Sequence, residues 1–295
     1  MNCMTEIIDS SINCSIKPLR SETSASLIAF KALLLRDLAV LKKNLVEFIP
    51  RILIQPFLLV FVFLYVFSQI GEGIGGAGGS TGESRFASIL IAGVVGISIM
   101  FQGIQAVALP LATEFGYTKE IEDRVLAPLS VSLVALGKIT AGAIQGFIAT
   151  TIVFPIAYFI HGGGGIQIHL SIHWGILLTL IPLTCIMTSS FGLVLGTRIQ
   201  PRNIGAMFGF IVLPLVFLGG TYYSWTTLSA IRIGDFPWLQ ALVCLNPLIY
   251  VTEGFRAALT TVPHMSLYVI YPVLLSFCLL FLWAGISGFQ KRVLS

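Results

Sequence analysis

Between Ser26 and Leu45 the apolar positions Leu27, Phe30, Leu34, Leu38, Leu41 and Leu45 recur every three or four residues, with Lys31, Arg36, Lys42 and Lys43 elsewhere on the wheel. That period predicts a helix with one apolar stripe and one charged face, suited to lying flat on a membrane surface. Six strongly apolar stretches follow, near Ile52 to Ile70, Phe86 to Ala112, Val131 to Ile160, Trp174 to Gly196, Ile204 to Tyr222 and Ser266 to Gly288. Each is about 20 residues or longer, enough to cross roughly 30 Å of hydrocarbon at 1.5 Å per residue. The second and third are long enough to tilt or to extend beyond the bilayer. Residues 1–24 are rich in Ser, Thr and Asn without an apolar period, which reads as a flexible tail. The expected fold is an all-α integral membrane protein. It comprises a cytoplasmic tail over 1–24, an amphipathic interfacial helix over 25–48, and a six-span domain over 49–295, with re-entrant outer helices between spans five and six.

Composition agrees: 56% of the 295 residues are hydrophobic, 10% are charged, and the mean hydropathy is +0.94. Soluble domains carry about 25% charged residues, so a soluble fold is excluded. The net charge of +4 does not point to nucleic acid, because the basic residues sit at the ends of apolar spans, where topology accounts for them. With the N-terminus inside, Lys17, Arg20, Lys31, Arg36, Lys42, Lys43, Arg51, Lys119, Arg124, Lys138, Arg198, Arg202, Lys291 and Arg292 fall on the cytoplasmic side, and only Arg85, Arg232 and Arg256 outside. This bias places both termini in the cytoplasm. The five cysteines show neither metal-ligand spacing nor a disulfide framework, and the charged first 48 residues lack a signal-peptide core.

Two charged segments interrupt the apolar pattern. Between spans two and three, the run from Thr113 to Ser130 packs Glu114, Lys119, Glu120, Glu122, Asp123 and Arg124 among Phe115, Tyr117, Ile121, Val125 and Leu126. One helical face there could dock on a soluble partner while the charges set the register; alternatively the segment is a solvated loop that fixes topology. The second lies between spans five and six. Asn246 is a good helix N-cap, Pro247 suits the first helical position, and the helix should continue to about Leu259. Glu253 and Arg256 then stand three apart on one face and can pair. A helix of about 15 residues is too short to cross, so it should dip into the outer leaflet and return. The pair either stitches this helix to its neighbours or gates an outer exit.

Catalysis has little support, since no nucleophile with a base at recognisable spacing and no carboxylate pair poised for hydrolysis is present. His169 and His173 have the spacing of two ligands on a helix face, but a third ligand is missing and no metal site is expected. Small residues recur at four-residue spacing as Gly142/Gly146, Gly192/Gly196 and Gly205/Gly209, which predicts close helix packing within the chain. Lys138 should snorkel from the start of span three to the interface. The glycine tracts Gly75 to Gly79 and Gly162 to Gly165 read as flexible outer loops.

From residue 26 to 292 this arrangement resembles the ABC-2 family of ATP-binding-cassette transporter permeases, especially its branch of drug and nodulation-factor exporters. The specific elements are the acidic-basic turn ending in Leu126-Ala127-Pro128-Leu129-Ser130 and the pattern Asn246-Pro247, Tyr250, Glu253, Arg256. The resemblance implies a permease subunit that pairs with a second copy, as a homodimer, and with two copies of a separate ATPase subunit. ATP and Mg would sit on that ATPase, with no cofactor in this chain. The chain has no GxxxxGK[ST] phosphate loop. By resemblance Glu114, Lys119, Glu120, Glu122, Asp123, Arg124, Leu126 and Pro128 belong to the helix that couples to the ATPase, and the interfacial helix adds to that contact. Asn246, Pro247, Tyr250, Glu253 and Arg256 form the outer re-entrant helix or gate. Spans one and five would face the dimer mate and line the route, making Gln55, Phe57, Phe61, Tyr65, Met207, Phe208 and Phe210 candidate lining residues, although each would also suit a lipid-facing position. Such aromatic and Met surfaces suit an amphipathic or lipid-linked cargo, and the resemblance implies an amphipathic, drug-like, lipid-linked or glycan substrate moved outward by alternating access. The competing reading is an ATP-independent channel or lipid scramblase gated by the same polar helix.

Overall fold

The computed structural model describes residues 22–66, 80–118, 129–159, 171–233 and 235–294, and what is described is almost wholly helical. In chain order, α1 is Glu22–Lys43, α2 is Leu45–Val60 continued by a π-helix Phe61–Val66, and α3 is Ser80–Thr113 continued by a π-helix Glu114–Thr118. Then come α4 Val131–Phe159, α5 Trp174–Arg198, α6 Pro201–Phe217, α7 Trp238–Val243, α8 Pro247–Leu259 and α9 Leu267–Leu294. The tail, the residues 119–128 that carry most of the charged turn, both glycine tracts, and His161 and His169 lie outside the described residues.

Five of these helices are long and apolar enough to cross a membrane: Leu45–Phe63, Phe86–Gly116, Val131–Pro155, Trp174–Arg198 and Leu267–Val293. They correspond to five of the six expected spans. The expected fifth span, Ile204 to Tyr222, is instead the shorter α6, which ends at Phe217. Its register is mixed, with a 3₁₀ turn at Pro201–Asn203 and a π-helix at Phe208–Val212 between α-helical turns. It is stopped by the turn through Gly219 and Gly220, where Gly220 takes φ +69°, a left-handed conformation in which a side chain is strained. The interfacial helix also differs from expectation, ending at Lys43 rather than near 48. Asn44 turns the chain, and the apolar run from Leu45 joins the first span.

The helices are layered around α3, which packs on α4, α5, α8 and α2, while α9 packs on α5. Its most apolar window is 83% buried, against 25% for α2 and 22% for α9. A helix apolar all round and buried all round is a core element, so α3 is the centre, and α2 and α9 form the rim. Close approach is made where small residues meet backbone. A methyl group on Gly192 would come within 2.8 Å of the Ile104 carbonyl, and one on Gly142 within 2.5 Å of the Val107 side chain. The Gly142/Gly146 and Gly192/Gly196 pairs therefore pack inside the chain as expected. The third pair does not: no atom of the described residues lies within 4 Å of an added carbon at Gly205 or Gly209.

Candidate functional site

The charged helix between the last two spans is built as the local sequence dictates. The Asn246 side chain accepts from the Leu248 N–H at 2.9 Å and Pro247 follows at the first helical position, so a lost donor and a capped donor start α8. The other end is satisfied from outside. Ser171 N–H donates to the Leu259 carbonyl at 3.1 Å and His173 N–H to that of Ala258 at 2.7 Å, consuming carbonyls that a helix terminus leaves without internal partners. All thirteen residues of α8 are buried.

Glu253 and Arg256 are both 0% exposed and form an ion pair through Glu253 Oε1 and Arg256 Nη1. Further hydrogen bonds reach two other parts of the chain. Arg256 Nη2 donates to the Gly220 carbonyl and, at 2.8 Å, to that of Tyr223. Glu253 Oε1 also accepts from the Trp225 N–H at 2.8 Å, and Oε2 from the Met265 N–H at 2.9 Å. One buried pair thus ties α8 to the loop after α6 and to the loop before α9. Burial of a charge without such partners costs several kcal/mol, and here most of the coordination is backbone. Around this knot, Thr252 Oγ1 donates to the Gly219 carbonyl at 2.7 Å, and Asn246 Nδ2 to that of Leu215 at 2.6 Å. Tyr250 hydroxyl donates to Cys244 O at 2.9 Å. Burial raises the Tyr223 phenol above its ordinary pKa, opposed by its Gly220 hydrogen bond and the Arg256 charge. The Tyr223 hydroxyl accordingly stays protonated and donates to Phe217 O at 2.9 Å.

Two glycines let the loop approach. An added carbon on Gly93 of α3 would sit 2.4 Å from the Thr221 carbonyl, and one on Gly220 2.2 Å from Ile249. No short-range signal in the sequence marks the Gly220, Tyr223, Trp225 and Met265 backbone groups as partners of Glu253 and Arg256: those in the loop after α6 lie 28 to 36 positions from their partners and Met265 lies 12 away, and they meet only through the fold.

At the opposite, basic end the expectation for Lys138 is overturned. Lys138 does not snorkel to water but is 6% exposed, bonded to Glu114 at 2.5 Å and 3.9 Å from Asp37. Two carboxylates delivered by α1 and by the π-turn after α3 replace the water a snorkelling side chain would seek. The ion cluster borders a 450 Å³ cleft between α1, α2, α3 and α4, whose walls include Arg36, Asn44, Glu47 and Gln145. Glu114 is the only candidate coupling residue that is described; Lys119, Glu120, Glu122, Asp123, Arg124, Leu126 and Pro128 lie outside. Beside Glu114, Arg292 of α9 stacks 4.3 Å over the Phe115 ring and donates to the carbonyls of Gly196, Thr197 and Ile199 at 2.9 to 3.0 Å. Read from sequence as a topological charge, it is also the C-terminal cap of α5.

The candidate lining residues separate. Phe57, Phe61 and Tyr65 are exposed and stacked along α2, with ring centroids 5.8 and 5.2 Å apart. Phe210 is 84% exposed, while Phe208 stacks on Phe101 and Met207 is buried in the chain's own core. The side chain of Gln55 lies outside the described residues.

A helical bundle carrying this capped, charged, buried helix meets its family in the comparisons with known proteins. The pattern described as ABC-2 type transporter matches residues 28–260, and the chain belongs to that family. It is 25% identical over 233 residues, 78% of this chain and 83% of the relative, to the inner membrane transport permease YadH of Escherichia coli strain K12. The proteins of that name in Escherichia coli O157:H7 and Shigella flexneri match to the same extent. The chain is accordingly a multi-pass inner membrane protein, a transport permease of an ABC transporter rather than an enzyme, and a partner of an ABC ATPase subunit.

Proposed function

We propose that two copies of this permease join two copies of a separate ATPase, which binds ATP and Mg, and export an amphipathic, drug-like, lipid-linked or glycan cargo by alternating access. The observation that carries this reading is the Glu253–Arg256 knot. By tying α8 to the loops that follow α6 and precede α9, it makes the far ends of the last spans one rigid piece, so work delivered at the basic end can move that piece as a unit. In this reading α6 is the fifth span and α8 the re-entrant helix of the outer leaflet. Both termini are cytoplasmic, and Phe57, Phe61, Tyr65 and Phe210 face the route or the dimer mate. The segment from Glu114 to Pro128 is the site of ATPase coupling, with Glu114 anchored by Lys138.

The decisive experiment is ATP-dependent transport in vesicles holding the permease with and without its ATPase. Transport should require both. Transport of a lipid or ion by the permease alone would establish the channel or scramblase reading instead. Sign reversal at Glu120, Glu122 and Arg124 together should abolish co-purification with the ATPase, and full retention would count against the coupling role.

A further inference from the structure

A second groove opens at the basic end, between the last turns of α5 and α9. Its volume is about 650 Å³, and its walls include Arg198, Trp283, Ala284, Ser287, Gly288 and Lys291. Among the described residues no Asp or Glu lines it. Trp283, Ser287 and Lys291 follow one another at four-residue spacing and so lie along one face of α9. The backbone rises about 12 Å from Trp283 to Lys291 at 1.5 Å per residue. The floor between them is made of small side chains, leaving a channel where larger ones would fill it. Trp283 is 70% exposed, in the interior of the apolar segment Leu267–Val293, while Arg198 and Lys291 are exposed at the ends of their two segments and have no salt-bridge partner among the described residues. Arg292 Nη1 donates to the α5 carbonyls and its guanidinium lies over Phe115, and its charge stays within the groove wall.

We propose that this groove binds an anionic phospholipid, its phosphate held by Arg198 and Lys291 and one acyl chain laid over Ala284, Ser287 and Gly288 toward Trp283. Basic pockets between membrane helices select anionic headgroups, and charge alone would not require a small-residue channel running from the cations into the apolar zone. The groove is lined by α5 and α9, whereas the Lys138 cluster borders the cleft between α1, α2, α3 and α4.

The test uses the full chain in mild detergent with fluorescent phosphatidylglycerol and, in parallel, phosphatidylcholine. Wild type should retain the anionic lipid preferentially. Arg198→Gln and Lys291→Gln should each weaken retention about five-fold. Ser287→Leu should also weaken it with every charge in place, whereas Arg202→Gln, which removes an exposed cation outside the groove, should leave it unchanged. Equal retention of both lipids, or wild-type retention by the Arg198→Gln/Lys291→Gln double variant, overturns the site. Unchanged retention in Ser287→Leu does so too, since diffuse surface attraction would then suffice. Loss of ATPase co-purification with lipid retention intact in the double variant would reassign the groove to a protein contact.

Discussion

Arg256 makes an ion pair and two carbonyl contacts from a position with no exposure, so its substitution removes more than a charge. Arg256→Ala leaves Glu253 buried with only two backbone donors, and Glu253→Gln leaves a buried guanidinium without its counter-charge. Breaking a buried pair in this way costs about 3–5 kcal/mol. Each single variant should therefore lower the midpoint of thermal unfolding in detergent and reduce export, while co-purification with the ATPase persists because the knot is remote from Glu114. The double variant Glu253→Leu/Arg256→Met distinguishes a simple pair from this one. A pair in isolation can often be exchanged for apolar residues at little cost. Here the exchange would orphan the N–H groups of Trp225 and Met265 and the carbonyls of Gly220 and Tyr223, at about 1–3 kcal/mol each, so the double variant should remain well below wild type in the same melting assay. Gly220→Ala should lose about 1–2 kcal/mol from its φ alone, with further loss from the clash at Ile249.

Among the elements, α6 is the least regular. At 17 residues it spans about 25 Å as an ideal helix, and its π-helical turn at Phe208–Val212 is the kind of insertion that recurs at functional positions. The same element carries Gly205 and Gly209 on an outer face with none of the described residues against it, while its Met207 side turns into the core. Small residues four apart let two membrane helices approach closely. A homodimer using this face predicts that Gly205→Cys cross-links to a second copy under mild oxidation in membranes. Gly209→Leu should lower the dimer fraction in cross-linking or light scattering without loss of folded monomer. By contrast Gly192→Leu, at a position where even a methyl group meets the Ile104 carbonyl, should prevent the chain from accumulating folded. A Gly209→Leu chain that dimerised as wild type would remove α6 from the interface.

For the whole molecule, the proposed orientation is checked by single cysteines placed at the exposed Ala230 beyond α6 and at the exposed Lys291 of α9. With Cys3, Cys14, Cys185, Cys244 and Cys278 replaced, a membrane-impermeant maleimide added to intact cells should label the first and not the second. Labelling of both from one side would invert or discard the proposed topology. The apolar spans, the Asn246 cap and the Glu253/Arg256 spacing were readable in advance, because helix periodicity, span length and capping are properties of consecutive residues. The shortening of span five was not, since the apolar run through Leu218 looks continuous and is ended by a left-handed Gly220 that serves Arg256. Nor was the fate of Lys138, whose sequence context offers only an interface to reach, whereas the fold brings Glu114 and Asp37 to it. The sequence by itself determined that this chain is a bundle of membrane helices interrupted by one charged, capped segment, since the energy of moving residues from water to lipid is summed along the chain. Only the tertiary structure decided which buried charges meet which backbone groups and which glycines are left facing outward, because those outcomes depend on distances between segments remote in sequence.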